Sequence, residues 1–173
     1  MKFAYADPPY FGCGRKLYGR HHSEAAVWDT REAHMSLIAR LVDEYPDGWA
    51  LSCLPRDLTH YLPACPADTL VAAWVKPFGS GYKPGQRIIR AWEPVIYRTV
   101  RTREPGERVR DTLIENATQG RGLPGVKPDR FNKWVIDLLG WEPGDQMDDL
   151  FPGSGGMRWA QAQGRLPIGG EAS

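Results

Sequence analysis

Residues 2–10 read Lys-Phe-Ala-Tyr-Ala-Asp-Pro-Pro-Tyr, and this stretch indicates both a fold class and a candidate site. The apolar run before Asp7 predicts a strand, and Pro8 and Pro9 end it in a rigid loop. Ligands of open α/β sheets lie at the carboxyl ends of strands. Asp7 and the Pro8 carbonyl could therefore accept hydrogen bonds from one exocyclic amine while Tyr10 stacks on a planar base. A proline turn after an edge strand, with Tyr10 as packing, is an equally good interpretation of these four residues alone.

The rest of the chain alternates predicted strands with predicted helices, which is typical of a mainly parallel α/β sheet of about five strands. Thr30 is placed to cap one helix, whereas Pro128 and Gly140 bracket another. The segment at residues 69–75 is almost continuously apolar, which predicts a strand buried on both faces. Further strands are predicted at residues 49–54, 94–100 and 146–151, and helices at residues 30–45, 55–61 and 128–139 and up to about residue 163.

Composition limits the class of protein. The 173 residues fit one domain over residues 1–173, with 42% hydrophobic and 25% charged residues. A net charge of +1 excludes a nucleic-acid clamp acting by bulk charge and an acidic solvating protein. Three cysteines without a CxxC pair and four histidines without metal-ligand spacing give no reason to expect a metal site or disulfides. No apolar run is long enough for a membrane span, so we expect a cytoplasmic protein.

A second motif, Asp-Asp-Leu-Phe-Pro-Gly-Ser-Gly-Gly, occupies residues 148–156. It predicts an acidic strand end that enters a glycine-rich turn and then a helix, where the backbone can approach a ligand and the helix N-terminus favours a carboxylate. An ordinary strand-to-helix turn has the same composition, and the absence of Gly-Lys-Ser/Thr excludes a P-loop. Upstream, Lys127 places a cation before a predicted helix; taken alone, a solvated lysine is its simpler interpretation.

Taken in order, Asp-Pro-Pro-Tyr at residues 7–10, Lys-Pro at residues 127–128 and Asp-x-Phe-x-Gly-Ser-Gly at residues 149–155 resemble the beta-class, permuted S-adenosylmethionine-dependent DNA amino-methyltransferases. Residues 74–97 are also similar to the mRNA-type adenosine-N6 methyltransferases. The resemblance implies a circularly permuted, minimal Rossmann-like methyltransferase sheet with S-adenosyl-L-methionine as cofactor.

The resemblance also implies roles for individual residues. Lys127 would pair with the methionine carboxylate of the cofactor. Glu93 would either bind near the substrate or brace the loop, and bracing is the role we favour. The catalytic set would be Asp7, Pro8, Pro9 and Tyr10, and the cofactor-binding set Asp7, Lys127, Asp149, Phe151, Gly153, Ser154 and Gly155.

The expected reaction is site-specific methylation of adenine N6 in DNA. Asp before Pro-Pro-Tyr resembles the adenine enzymes, and Tyr10 resembles the DNA enzymes more than the mRNA-type ones, which usually carry Trp there. The alternatives are an RNA adenosine-N6 or cytosine-N4 methyltransferase, methylation of a small amine or protein side chain, or a catalytically degenerate subunit binding nucleic acid or a partner. The composition suits a phage or bacterial protein, and a homodimer or a partner subunit is possible.

Residues 11–29 and 101–126 are predicted to be loops. We expect both to face the substrate because their basic residues could contact phosphates without high net charge. A solvated charged loop is the plainer interpretation of each. The basic residues concerned are Arg15, Lys16, Arg20, Arg101, Arg103, Arg108 and Arg110.

In the resembled family two more strands follow the glycine-rich loop, and the first ends in an acid that binds the cofactor ribose. Residues 157–173 are too few for both strands. We therefore expect the ribose to be bound by Gln161, Gln163 or Glu171, or by a neighbouring subunit.

Overall fold

The structure, a computed structural model, describes residues 1–20, 23–78, 85, 87–102, 108–117 and 126–163. Its strands are β1 (Lys2–Ala6), β2 (Gly48–Ser52), β3 (Leu70–Val75), β4 (Trp92–Thr99), β5 (Thr112–Ile114) and β6 (Gln146–Asp149). Its α-helices are α1 (Arg31–Glu44), α2 (Leu58–Tyr61), α3 (Asp129–Leu139) and α4 (Gly156–Gln163). Short 3-10 segments flank α2 at Pro55–Asp57 and Leu62–Ala64.

The strands form one sheet in the order β5-β3-β4-β2-β1-β6. β1 pairs in parallel with both β2 and β6, and β3 pairs in parallel with β5. β4 runs antiparallel to β2 and β3. The predicted mainly parallel α/β sheet is therefore confirmed. Strand β5 was missed because its three residues lie in a polar segment, too short to show any periodicity.

Alternate residues of β1 face two separate layers of the core, as the two-residue period of a strand requires. Phe3 and Tyr5 pack in the cluster that contains α3 and α4. Ala4 and Ala6 pack in the cluster that contains α1 and α2. The sheet is therefore covered by helices on both faces around β1 and β2.

The predicted ends of the two long helices are confirmed. The Thr30 side chain caps α1 by accepting a hydrogen bond from the N–H of Ala33. Pro128 stands at the N-cap of α3, and Gly140 ends that helix with φ +70°, a left-handed conformation that favours glycine. The apolar face predicted for α3 is buried throughout: Phe131, Trp134, Val135, Leu138 and Leu139.

The prediction that residues 69–75 are buried on both faces is wrong. Leu70 is 56% exposed and Val71 is also exposed, whereas Ala72 and Trp74 are buried against the α3 layer. Helices α1 and α2 pack over β1, β2 and β4 and contribute no cluster contact to β3. An apolar run alone cannot distinguish a strand covered on two faces from one covered on a single face.

The prediction of a continuous loop over residues 11–29 is also wrong. The chain forms a π-helical turn at Gly14–Tyr18 and a 3-10 helix at Ser23–Asp29. The Asp29 carboxylate accepts hydrogen bonds from the backbone N–H groups of Gly14 and Arg15, at 2.7 and 2.9 Å. These hydrogen bonds join residues that are 14 or 15 positions apart and hold the segment in its folded form. No local sequence pattern predicts them. Among the described helices, none has the length and apolar character needed to cross a membrane.

Asp145 joins three chain segments at the edge of the sheet where β1 and β6 begin. Its carboxylate accepts hydrogen bonds from the α-amino group of Met1 at 2.8 Å, from the Arg101 guanidinium at 2.8–2.9 Å and from the N–H of Glu142 at 2.8 Å. Burial acts to raise the pKa of Asp145, but these hydrogen bonds and positive charges outweigh it, and the pKa is lowered.

Replacing Asp145 with Asn should lower the free energy of unfolding at neutral pH by about 1–3 kcal/mol, because charge-assisted hydrogen bonds are lost. A lowered pKa stabilises the fold above the unfolded-state value, and this contribution is lost as the pH falls through the folded-state value. Wild type should therefore lose more stability than Asp145→Asn between about pH 5 and pH 2. Urea unfolding at each pH measures this, with exposed Asp43→Asn as control; parallel pH curves for wild type and Asp145→Asn would contradict it.

Candidate functional site

The candidate site lies at the edge of the sheet where β1 and β6 end. Asp7 follows β1 directly, Asp149 ends β6, and the parallel register places Tyr5 beside Asp149. The β1–β2 connection carries α1 on one face, whereas α3, which precedes β6, lies on the other. The connections thus diverge between β1 and β6, which is where open α/β sheets form a ligand crevice.

A cavity of about 620 Å³ occupies this crevice. It is lined by residues of all three sequence motifs, so the structure brings together positions up to 147 residues apart along the chain. The glycine-rich turn between β6 and α4 contains Gly153 and Gly155. Their φ values of +45° and +80° are ones that other residues rarely adopt. The predicted site residues in its lining are Asp7, Pro9, Lys127, Asp149, Phe151, Gly153 and Ser154.

Lys127 contacts the first motif. Its ammonium donates hydrogen bonds to Asp7 Oδ2 at 2.6 Å and to the Tyr10 hydroxyl at 3.3 Å. Both members of the ion pair are largely buried, with 10% of the Lys127 side chain and 20% of the Asp7 side chain exposed. The partner of Lys127 in the structure is therefore Asp7, and its predicted pairing with a ligand carboxylate stays a prediction.

A second cavity, of about 190 Å³, adjoins the first. Asp7 and Lys127 line both, so the ion pair stands at their boundary. The smaller cavity also has Tyr10 and Trp74 in its lining, and therefore offers aromatic surface beside a carboxylate. A group bound in the larger cavity and a group bound in the smaller one would therefore approach each other at Asp7.

Glu93 connects two other residues that line the smaller cavity, Tyr10 and Lys76. It accepts a hydrogen bond from the Tyr10 hydroxyl at 2.9 Å and forms an ion pair with Lys76, whose ammonium lies 4.1 Å from the centre of the Trp74 ring. Burial lowers the pKa of Lys76, and Glu93 opposes that effect. Burial and the charges of Asp7 and Glu93 raise the pKa of Tyr10 well above its usual value, so its hydroxyl remains a donor.

Asp149 differs electrostatically from the adjacent Asp148. Burial raises the pKa of Asp149, the N–H of Phe151 partly offsets this, and the negative charge of Asp7 raises it further. Asp148 instead accepts a hydrogen bond from the Tyr45 hydroxyl at 2.9 Å on the other face of the strand. Asp149 alone of this pair lines the larger cavity.

Sequence reasoning missed several residues of the larger cavity. Segment 11–29, expected to face a substrate, supplies one of its walls, and the Trp28 ring packs edge-on against Phe151 at 4.8 Å. The apolar spacing within the Ser23–Asp29 helix was an available signal. Nothing in the sequence marked the other residues as cavity-lining: Tyr18, Glu24, Asn132 and Met157.

The basic residues divide between two edges of the sheet. Arg15 and Lys16 are exposed beside Leu17 and Tyr18, which line the smaller cavity, and Arg20 is exposed two residues further on. Strands β1, β3 and β5 run in the same direction, so the residues just before β5 lie at the opposite edge. Arg108 and Arg110 are exposed there.

Arg101 also lies at that opposite edge, in ion pairs with Glu142 and Asp145, and this corrects its expected place at a substrate-facing surface. Farther along segment 101–126, Ala117 lines the smaller cavity and Val126 lines both cavities, and the expected substrate-facing role of the segment as a whole stays a prediction. Arg103 lies outside the described residues.

The residues expected to bind a ribose do not line the larger cavity. Gln161 donates a hydrogen bond to the Met147 carbonyl at 3.3 Å, and Gln163 is exposed at the end of α4. Glu171 lies outside the described residues. Within the described ranges no group of histidine, cysteine or acidic residues is arranged to hold a metal ion.

Replacing Glu93 with Gln should lower the free energy of unfolding by about 3 kcal/mol, because Lys76 would remain buried without its counter-charge. Adding Lys76→Met should recover part of this loss, which a double-mutant cycle measures by urea unfolding. The exposed pair of Glu115 with Arg130 is the control, and Glu115→Gln should cost less than about 1 kcal/mol. Equal losses for the two glutamine variants would rule out the buried pair as a brace.

Comparison with known proteins identifies the fold. No protein-family model matches the chain, and no curated protein matches it. Among solved structures it is similar to the crystal structure of the M1.HpyAVI–SAM complex, with a TM-score of 0.61 and 18% identity over 94% of this chain and 78% of that one. It is also similar to the crystal structure of M1.HpyAVI, with a TM-score of 0.61 and 13% identity over 94% of this chain and 75% of that one. These likenesses confirm the predicted Rossmann-like methyltransferase fold.

Proposed function

We propose that this protein is an S-adenosylmethionine-dependent methyltransferase that modifies the exocyclic N6 amine of adenine in DNA. The observation that carries the proposal is the position of Asp7 between two adjoining cavities. A methyl donor in the larger cavity and a base in the smaller one would meet at this carboxylate. Transfer between bound groups depends mainly on such positioning.

The residues of the larger cavity fit S-adenosylmethionine. Its volume of about 620 Å³ lies within the range usual for small-molecule sites. Trp28 and Phe151 offer apolar surface, Asp149 offers a carboxylate, and the turn through Gly153 lets the backbone approach a ligand. When bound, S-adenosylmethionine supplies an electrophilic methyl group. The SAM complex of the structurally similar M1.HpyAVI supports this choice of cofactor.

The smaller cavity fits a planar base. The Tyr10 hydroxyl is tied to Glu93, which fixes a ring that can stack on the base. Lys127 occupies Asp7 Oδ2, and Oδ1 together with the Pro8 carbonyl can accept hydrogen bonds from an exocyclic amine. These bonds draw the nitrogen lone pair out of ring conjugation and aim it at the methyl group. The choice of adenine in DNA rests on the resemblance of residues 7–10.

Gln161 and Gln163 do not line the larger cavity, so a different residue must bind the ribose of the cofactor. Of the described acids that line the larger cavity, Asp7 faces the acceptor side and Asp149 lies at the sheet edge. Glu24 is the third, on the 3-10 helix that walls the cavity. We assign Glu24 to the ribose hydroxyls, as acids bind them in other Rossmann-like folds.

Asp7→Asn should reduce methyl transfer by at least about 100-fold, because the amine would lose a preorganised negative acceptor. Binding of S-adenosylhomocysteine should weaken much less, by less than about 10-fold, since Asp7 is only one of the residues that line the larger cavity. The assay is labelled-methyl incorporation into unmethylated DNA, RNA and free nucleosides.

The matched control is Asp148→Asn, which alters a neighbouring carboxylate on the other face of β6 and should retain activity. Incorporation that survives Asp7→Asn would refute the mechanism. Incorporation into RNA or nucleosides alone would change the substrate. DNA binding without transfer to any substrate would favour a catalytically degenerate binding subunit.

Two segments that contribute residues to the lining of the smaller cavity carry exposed basic residues. Leu17 and Tyr18 of the π-helical turn line one side, and this turn carries exposed Arg15 and Lys16. The β3–β4 connection, whose ends also line the cavity, carries exposed Arg87. We assign the phosphate contacts to Arg15, Lys16 and Arg87, because a flipped or single-stranded base bound in the smaller cavity would bring its flanking phosphates near the segments that line it.

The double variant Arg15→Gln/Lys16→Gln should weaken DNA binding and lower the slope of log affinity against log salt by about 2, because each lost phosphate contact removes about one counterion. The charge-matched control Arg108→Gln/Arg110→Gln acts at the opposite edge and should leave the slope unchanged. Fluorescence anisotropy at several salt concentrations gives both slopes. Equal slopes for the two double variants would reject this interface.

A further inference from the structure

Asn132 is a largely buried residue whose side-chain amide has no hydrogen-bond partner in the described part of the chain. It lies in the first turns of α3, is 3% exposed and lines the larger cavity. Its backbone N–H is bonded to the Pro128 carbonyl, but its side-chain amide makes no hydrogen bond to any described residue. The amide of this otherwise buried residue is open to the cavity, so a ligand bound there can supply the partner that the described residues do not.

Gly156 supports this interpretation. A Cβ at this position would overlap the Asn132 amide. Gly156 has no left-handed φ, so the backbone conformation does not require glycine there. It also begins α4, although glycine is a poor helix former. Glycine is needed at position 156 because it leaves space for the Asn132 amide, which lies against the first turn of α4.

The surroundings of this amide favour a negative group. The first-turn N–H groups of a helix have no acceptor within the helix, and the helix dipole adds partial positive charge there. Asn132 Nδ2 brings a further donor to the N-terminus of the eight-residue α4. Lys127, the cation that the resemblance assigned to a ligand carboxylate, is bound to Asp7 instead.

We propose that Asn132 and the first turn of α4 bind the carboxylate of the amino-acid part of S-adenosylmethionine, an inference that rests on the proposed function. The adenosine part of that molecule carries no negative charge, so an anion-binding corner of the cavity selects the amino-acid end. Asp149, which lines the same cavity, is the acid available to the ammonium group. Lys127 is then left to hold Asp7 and Tyr10.

Titration calorimetry with two ligands tests this assignment. S-adenosylhomocysteine contains the amino-acid part, whereas 5′-methylthioadenosine lacks it. Asn132→Leu, which removes the donor at nearly constant volume, should weaken S-adenosylhomocysteine about 10-fold. Asn132→Asp should weaken it about 100-fold, because it adds charge repulsion. Gly156→Ala should weaken it as well. All three should change the affinity for 5′-methylthioadenosine by less than about 2-fold, and exposed Asn116→Asp should change neither ligand.

A stability measurement separates ligand binding from packing. Because Asn132→Leu breaks no side-chain hydrogen bond to a described residue and keeps nearly the same volume, its melting temperature without ligand should not fall below that of wild type. Unchanged binding of S-adenosylhomocysteine in the Asn132 variants would overturn the inference while leaving the cofactor assignment intact. Equal weakening of the binding of both ligands would also overturn it, whether or not the melting temperature falls. If wild type bound neither ligand, the proposed cofactor itself would be wrong.

Discussion

The parallel pairing of β1 with β6 is the constraint on which the candidate site depends. Its register sets Tyr5 beside Asp149 and Ala4 beside Asp148. A shift by one residue would exchange the two faces of β6, turning Asp148 toward the cavity and Asp149 toward α1. Tyr45 opposes such a shift, because its hydroxyl binds Asp148 from the α1 side. The pairing therefore determines which carboxylate lines the cavity.

The charges of the protein are divided by edge. At the edge where β1 ends, Lys127 compensates Asp7 and Lys76 compensates Glu93, both inside the fold. At the other edge Arg101 holds together chain segments that begin and end strands. The net charge of +1 therefore includes ion pairs that have different structural roles. For this reason a basic residue cannot be assigned to nucleic-acid binding from its local sequence alone. Arg101 is the clearest case, because its partners lie more than 40 residues away in the chain.

Elements with strong local signals were predicted well. Thr30 as a cap, Pro128 before a helix and Gly140 after it act on their own few residues, so their effect can be read from the sequence. The three-residue β5 has no such signal, and it exists because β3 offers it an edge. The helical turns within residues 11–29 depend on Asp29, whose contacts lie outside any local pattern. Likewise, the exposure of Leu70 follows from which helices cover the sheet.

The sequence by itself determined the class of fold and the motifs that gather at the carboxyl ends of β1 and β6, because strand punctuation by proline and glycine is a property of neighbouring residues. Tertiary structure alone decided the partners within the site. Lys127 meets Asp7 across 120 residues, and Asn132 meets Gly156 because α3 and α4 pack together. Ion pairs and buried amides are set by distance and burial, and these quantities exist only once the chain has folded.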